Sequence, residues 1–387
     1  MAVYILGGAR TAIGSFLGTL SSVPAPKLGA TAIEGALQKA NIEKSKVDEV
    51  FMGNVVTSGV GQAPARQAML NAGLPNTIPA TTVGKVCGSG LQAIILGARS
   101  IMTGDNQVVV AGGMENMSLA PHLLMNSRSG FKFGSTEMKD SMQWDGLWDV
   151  YTDRAMGNCA EECTKKYEMT REEQDAFAKE SFVRAQAASK EGLFKDEIVA
   201  VKIPGKKGDV EISEDEGPFK ANFEKMPTLR PAFEKDGTIT AANASTINDG
   251  AAAVVLGGDE FADKAEFKIL AYASNAHDPT WFTTAPVEAI NKSLKKANLT
   301  LDKIDLFEIN EAFAAVTMAA MKEFKIPHEK VNVFGGAVAI GHPIGASGAR
   351  IVVTLMNAMR KKKAKYGCAA ICIGGGEALS LIVEKIR

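Results

Sequence analysis

Short apolar runs alternate with helical periodicities along this chain. Residues 3–6, 49–52, 107–111 and 252–256 read as buried strands, while 27–40 and 91–102 carry apolar positions at helical spacing. The same order returns later, with strands at 267–271, 306–309, 368–373 and 379–383 and helices at 286–297 and 347–360. Segments 47–54 and 304–310 run alike, each from a helix into a strand that ends in Asn and gives way to a glycine-rich helix start. Such repetition predicts two similar α/β halves. Glycine gathers at the corners between strands and helices, where tight turns and close backbone approach require a missing Cβ. A layered α/β protein with a parallel or mixed sheet follows.

Between the halves the composition shifts. Met117, Met125, Met138, Met142 and Met156 lie in a Gly/Ser-rich stretch, and a charged helix follows at 171–191. We read residues 118–239 as an inserted loop domain that carries contacts to a large ligand. The first half is then 1–117, completed by 240–262, and the second half is 263–387.

Composition narrows the function classes. Lys+Arg of 43 against Asp+Glu of 44 leaves a net charge of −1, so no general field captures nucleic acid or an anionic membrane. Any anionic ligand must be held by local cations. Apolar runs such as 91–98, cut by Arg99, fall short of the roughly 18 residues a membrane span needs, which predicts a soluble protein. Residues 3–6 already read as a strand, with no basic stretch and apolar h-region before a cleavage site, so the expected location is the cytoplasm. Five cysteines, an odd number without a close-set framework, point to reduced thiols.

Four segments carry candidate chemistry. In Val-Cys-Gly-Ser-Gly at 86–90, Cys87 stands at the start of a glycine-opened helix, where N–H groups and the helix dipole lower a thiol pKa. It is either a nucleophile or a small buried residue at a tight corner. His342, one of only four histidines, sits in a glycine-rich loop at 335–348. Its imidazole could take a thiol proton and then donate to an oxyanion, or it could be a turn residue satisfied by backbone. His122, His277 and His328 are read as structural. Cys372 ends a strand before three glycines, so its thiol would emerge at the sheet edge as a second acid/base, or it is a buried strand residue. Asn310 follows a strand end and either orients a water or caps a helix.

Other features point away from chemistry. Cys368 and Cys372 are four residues apart on a strand, about 13 Å, too far to share an ion, and Cys159 and Cys163 have no His nearby; no metal is expected. The run at 360–363 reads as a solvated helix end. No glycine stretch matches the Walker A or dinucleotide-binding patterns.

Taken in order, eight segments resemble the thiolase family over nearly the whole chain. They are Gly-Asn-Val at 53–55, Gly-Gln-Ala-Pro-Ala-Arg-Gln at 61–67, Val-Cys-Gly-Ser-Gly at 86–90, Gly-Gly-Met-Glu-Asn-Met-Ser at 112–118, Asn-Asp-Gly-Ala-Ala at 248–252, Asn-Glu-Ala-Phe at 310–313, Gly-His-Pro at 341–343 and Cys-Ile-Gly-Gly-Gly at 372–376. The resemblance implies a thiolase fold: two βαβαβαββ halves in a layered α/β/α/β/α arrangement, with the loop domain over the site. It implies a homotetramer or homodimer that acts on coenzyme A thioesters and uses no cofactor, nucleic acid or membrane.

By the same resemblance, Cys87 takes an acyl group with help from His342, and Cys372 removes a methyl proton from acetyl-CoA. The carbanion then attacks acyl-Cys87, giving acetoacetyl-CoA and CoA. His342 and an Asn310-bound water would hold one oxygen, and the N–H groups of Cys87 and Gly374 the other. The segments at 112–118 and 240–245 resemble the short-chain acetyl-CoA acetyltransferases. Ser245, Leu147, Met156, Phe233 and Phe313 match pantetheine contacts there. Ala155 departs from the His that many such enzymes carry before Met-Gly. Alternative readings are a degradative 3-ketoacyl-CoA thiolase for longer chains, a ketoacyl synthase, and a non-catalytic acyl-CoA or lipid carrier. The second cysteine argues against the synthase, and the intact Cys87, His342 and Cys372 against the carrier.

Overall fold

A computed structural model describes residues 1–205 and 208–387. The first half contributes strands β1 (Val3–Thr11), β2 (Glu49–Gly53), β3 (Ala80–Val83) and β4 (Val108–Asn116), with helices α1 (Ala25–Ala40), α2 (Pro64–Asn71) and α3 (Ser89–Thr103) between them. Strand β5 (Asn248–Gly257) returns after the insertion and pairs antiparallel with β4 and β1. Helices α4 (Met156–Lys166) and α5 (Arg171–Lys190) lie in the inserted stretch, where Thr170 caps α5 reciprocally with Glu173.

The second half repeats the order with β6 (Phe267–Ala276), α6 (Ala285–Ala297), β7 (Leu306–Ile309), α7 (Ala314–Phe324), α8 (Ser347–Lys362), β8 (Tyr366–Ile373) and β9 (Glu377–Lys385). Val331 alone stands where a further strand would lie, as a single bridge to Phe307. Asn332 takes over the missing pairing. Its Oδ1 accepts from the Ile309 N–H at 2.8 Å and its Nδ2 donates to the Ile309 carbonyl at 2.9 Å.

The principal strands form one sheet in the order β7-β8-β9-β6-β1-β5-β4-β2-β3, joined between halves by Val3 to Ile5 against Phe267 to Ile269. Helices α1 and α2 cover the first half, α6 and α7 the second, and α3 and α8 lie between the halves. These are the layers expected of the fold. The strands read as continuous apolar runs because both faces are covered, and all nine residues of β4 are buried.

One expectation needs correction. Residues Val86–Thr103 do make an eighteen-residue stretch apolar enough to cross a membrane. Its apolar length reflects a place between two sheet layers, with Leu91, Ile94, Ile95, Ala98 and Ile101 fully buried in the main core.

Candidate active site

Two glycine contacts bring the starts of α3 and α8 together. A Cβ on Gly90 would stand 2.8 Å from the Ala349 nitrogen, and one on Gly348 would stand 2.9 Å from Leu91 Cβ. Only Gly lets the backbones approach this closely. Cys87 precedes one helix and His342 the other, so this contact brings both segments to one cavity.

Both residues line an apolar cavity of about 400 Å³. Its walls include Leu147, Met156, Phe233, Ser245, Phe313 and Gly374, each expected from the sequence, together with Ala155. Phe313 sits between two aromatic neighbours, its ring 5.9 Å from Phe233 and 6.2 Å from Phe282 in edge-on contacts. Ser245 Oγ donates to the Ala312 carbonyl at 2.9 Å. Met117 and Met142, from the Met-rich stretch, also line the cavity, as do Ile247 and Phe282, which no motif singles out.

Cys87 lies in a 3-10 turn, Val86–Gly88, just before α3, and it is partly exposed. Val86 adopts φ +44°, an uncomfortable conformation for a β-branched residue that costs on the order of 1–3 kcal/mol. Ser89 stabilises the turn by donating to the Val86 carbonyl at 2.7 Å and accepting from the Lys85 N–H at 2.8 Å. Lys85 also pairs with Glu377, tying this turn to the glycine loop after β8.

The expected low thiol pKa is not found. Burial pushes the Cys87 thiol up to about 11, against the N–H groups of Gly374 and of Cys87 itself, which pull it down. Apolar walls outweigh the helix start, so Cys87 rests as a thiol and needs a base.

His342, on the wall of the same cavity, is the candidate for that base. Its Nδ1 lies 2.6 Å from Ser347 Oγ, its backbone N–H donates to Asn248 Oδ1 at 2.9 Å, and its buried Nε2 has no partner among the described residues. Burial first, and the nearby Arg350 charge second, lower its pKa to about 3, so the ring is neutral. Glu115 anchors the loop from below. It accepts from Asn54 Nδ2 at 2.6 Å and from the N–H groups of Val55, Val56 and Gly345 at 3.0, 3.2 and 2.9 Å. Burial pushes its carboxyl up to about 7 while these donors pull it down.

Two expected residues lie behind the cavity wall. Cys372 is fully buried on β8 among Cys159, Met156 and Phe313, rather than emerging at the sheet edge. Its thiol is pushed well above the ordinary range by burial, then by the neighbouring Cys87. Asn310 is no helix cap: Phe313 holds the N-cap position of α7, while Asn310 is fully buried with its Nδ2 unpartnered by protein. No role is legible in the sequence for Ser347, Arg350 or Asn248, although Asn248 opens one of the eight segments, since each acts through another residue.

The arrangement is a thiol beside a neutral imidazole, with two N–H groups at the sulfur and a second thiol behind. Residues 3–260 match the thiolase N-terminal domain and 264–385 the thiolase C-terminal domain. The chain belongs to the thiolase family. It is 51% identical to the acetyl-CoA acetyltransferase of Cupriavidus necator, over 99% of both chains. To acetyl-CoA acetyltransferase 2 of Arabidopsis thaliana it is 50% identical, over 99% of this chain and 96% of the other. The fold of this thiolase also matches Acat5 thiolase from Ascaris suum in complex with coenzyme A, with a TM-score of 0.95, 44% identity and full coverage of both chains. The Bacillus anthracis acetyl-CoA acetyltransferase gives a TM-score of 0.97 at 39% identity, over 100% of this chain and 99% of that one.

Two of the other histidines make local contacts. His277 Nε2 lies 2.7 Å from the Trp281 carbonyl, and His328 stacks on Phe177 at 4.7 Å. Cys159, Cys163 and Cys368 are buried and free. Among the described residues, no group of three His, Cys, Asp or Glu could hold a metal ion.

Proposed function

We propose that this acyltransferase is an acetyl-CoA C-acetyltransferase, condensing two acetyl-CoA reversibly to acetoacetyl-CoA and CoA. The observation that carries the reading is the convergence of Cys87, His342 and Gly374 on one apolar cavity, in a chain half identical over its length to acetyl-CoA acetyltransferases.

In the first half-reaction the Cys87 sulfur attacks the thioester carbonyl and its proton passes to His342 Nε2. The N–H groups of Cys87 and Gly374 hold the tetrahedral oxygen. As the intermediate collapses, CoA leaves as its thiol with a proton from Cys372, which is left as thiolate while His342 keeps the proton taken from Cys87. A second acetyl-CoA then enters. Its thioester oxygen is held by His342 and by a water on Asn310, and the Cys372 thiolate removes a methyl proton. The resulting enolate carbon attacks the acyl-Cys87 carbonyl, the C–S bond to Cys87 breaks, and Cys372 returns the proton to the departing sulfur and takes back its own from His342. Atoms and charge balance over the cycle, and no cofactor is required.

Leu147, Met156, Phe233, Phe313 and Ser245 would line the pantetheine arm. A second cavity of about 610 Å³ shares Ser245, Thr246 and Ile247 with the first and carries Lys220 and Lys225, cations that would meet the phosphates of coenzyme A in this reading. We read the location as cytosolic, supported by a relative in Gibberella zeae named a cytosolic acetyl-CoA acetyltransferase, 50% identical over the whole of this chain. Exposed Leu124, Phe131, Phe133 and Met138 in the inserted stretch support assembly of copies into a dimer or tetramer.

The decisive assay mixes acetoacetyl-CoA with CoA and follows loss of the 3-ketoacyl thioester. Intact mass should show one acetyl unit on the Cys87 peptide. Faster turnover of 3-ketohexanoyl-CoA or a longer homologue would favour the degradative thiolase, and absence of turnover on all three would favour a carrier.

A further inference from the structure

Helix α8 serves the site twice within one turn. Ser347 at its first position contacts His342, and Arg350, three residues on and so on the same face, reaches the segment after β7. Arg350 is almost fully buried. Its Nη1 donates to Glu308 Oε1 at 2.7 Å, and its Nη2 makes a long charge-assisted contact to Asn310 Oδ1 at 3.5 Å. Glu308 and Asn310 stand two apart, at the end of β7 and just beyond it, so one planar guanidinium spans both.

Consider what that does to Asn310. A carboxamide can flip, exchanging acceptor for donors. With the cation facing Oδ1, a flipped Asn310 would set its NH₂ against a buried positive charge. The flip is therefore disfavoured, and Nδ2, which donates to no group among the described residues, stays turned away from Arg350 as a free donor. Glu308 neutralises the guanidinium and fixes its plane.

We propose that Arg350 is a positioning residue for the condensation step: held by Glu308, its guanidinium keeps the Asn310 carboxamide in the one orientation that offers Nδ2 as a donor. This inference rests on the role given to Asn310 above. It assigns Arg350 no contact with substrate. It separates the two half-reactions, because acylation of Cys87 uses His342 and the Cys87 and Gly374 N–H groups, whereas Asn310 acts only on the incoming acetyl-CoA.

The test compares wild type, Arg350→Lys, Arg350→Met, Asn310→Ala and the Arg350→Met/Asn310→Ala double variant in two assays. One follows acetyl transfer from acetyl-CoA to Cys87 by intact mass, the other kcat and KM for condensation and for thiolysis of acetoacetyl-CoA. Because Arg350→Met strands a buried carboxylate, Glu308→Met/Arg350→Met, which removes both charges, is the version chosen to fold. The expected result is a kcat loss of roughly tenfold to a hundredfold in the folded Arg350 variants, with KM and Cys87 acylation little changed. Arg350→Lys, which keeps the charge without the fork, should recover part of that loss. Adding Asn310→Ala to an Arg350 variant should cost no more than about twofold beyond the worse single change, since both act through one carboxamide. Full additivity, or condensation in Glu308→Met/Arg350→Met within about twofold of wild type, would overturn the proposal. A wild-type enzyme that turns over while Asn310→Ala is fully active would instead remove the Asn310 role, and the positioning claim with it.

Discussion

His342 Nδ1 lies 2.6 Å from Ser347 Oγ, and that same Oγ lies 3.0 Å from the Pro343 carbonyl. A hydroxyl has one proton to give. When Ser347 gives it to Pro343, it accepts from Nδ1–H, and Nε2 is a free base. When it turns the proton to Nδ1, Nε2 carries the hydrogen and is a donor. The one contact thus suits both duties given to His342, proton acceptor in acylation and oxyanion donor in condensation.

Ser347→Ala should therefore lower kcat for thiolysis of acetoacetyl-CoA by roughly tenfold to a hundredfold, part of the roughly 10²–10⁴ that a positioned acid/base contributes, with little loss of stability. Steady-state rates alongside a urea melt check both. Unchanged kcat in a folded variant would end the orienting role.

Alkylation of Cys87 should report its protonation. With the thiol pushed up to about 11, the thiolate fraction at pH 7 is roughly one in ten thousand and rises about tenfold per pH unit. The rate of iodoacetamide labelling of the Cys87 peptide should climb steadily from pH 7 to 10 without a plateau. A plateau near pH 7 would mean a standing thiolate and would restore the helix-start argument. Cys159, Cys163, Cys368 and Cys372 are buried and should stay unlabelled over the same interval.

Gly90→Ala should disturb the contact on which the site is built. Its Cβ would stand 2.8 Å from the Ala349 nitrogen and 3.1 Å from the Gly345 carbonyl oxygen, and neither backbone group can swing aside. We expect a stability loss of about 3 kcal/mol, at the upper end for overpacking, and activity lost beyond what stability explains. Gly84→Ala is the control, since a Cβ there meets nothing within 4 Å. Equal denaturation midpoints for the two variants would show that the helix starts can separate.

These residues also show what the sequence makes legible. Strand β7 and the start of α8 fall where periodicity puts them, because burial on both faces leaves a continuous apolar run. Cys87 and His342 announce themselves through glycine-rich corners. Cys372 does not reveal its depth, since a strand end reads alike whether it opens on a cavity or is covered by Phe313 and Met156. The thiol pKa of Cys87 is equally hidden. A helix start is visible in one segment, but the desolvation that overrides it comes from walls contributed by residues far along the chain. Arg350 reads as an ordinary helix cation until Glu308 and Asn310 are seen beside it.

Cys372 provides the sharpest separation of roles. It is fully buried, and Cys87 is near enough to raise its pKa further. A group so placed is shielded from the acyl donor's bulk, yet it stands close to Cys87, where the small methyl group must come for the proton removal proposed above. Cys372→Ala should then leave acetyl transfer from acetyl-CoA to Cys87 detectable by intact mass, while condensation falls on the order of a hundredfold or more, as for a lost acid/base group. Cys87→Ala should abolish both reactions. The small hydrophobic replacement at Cys372 keeps the packing against Phe313, so a melt should move little. If Cys372→Ala condensed acetyl-CoA at close to the native rate, the proton would have to travel through His342 instead, and the second thiol would be a core residue.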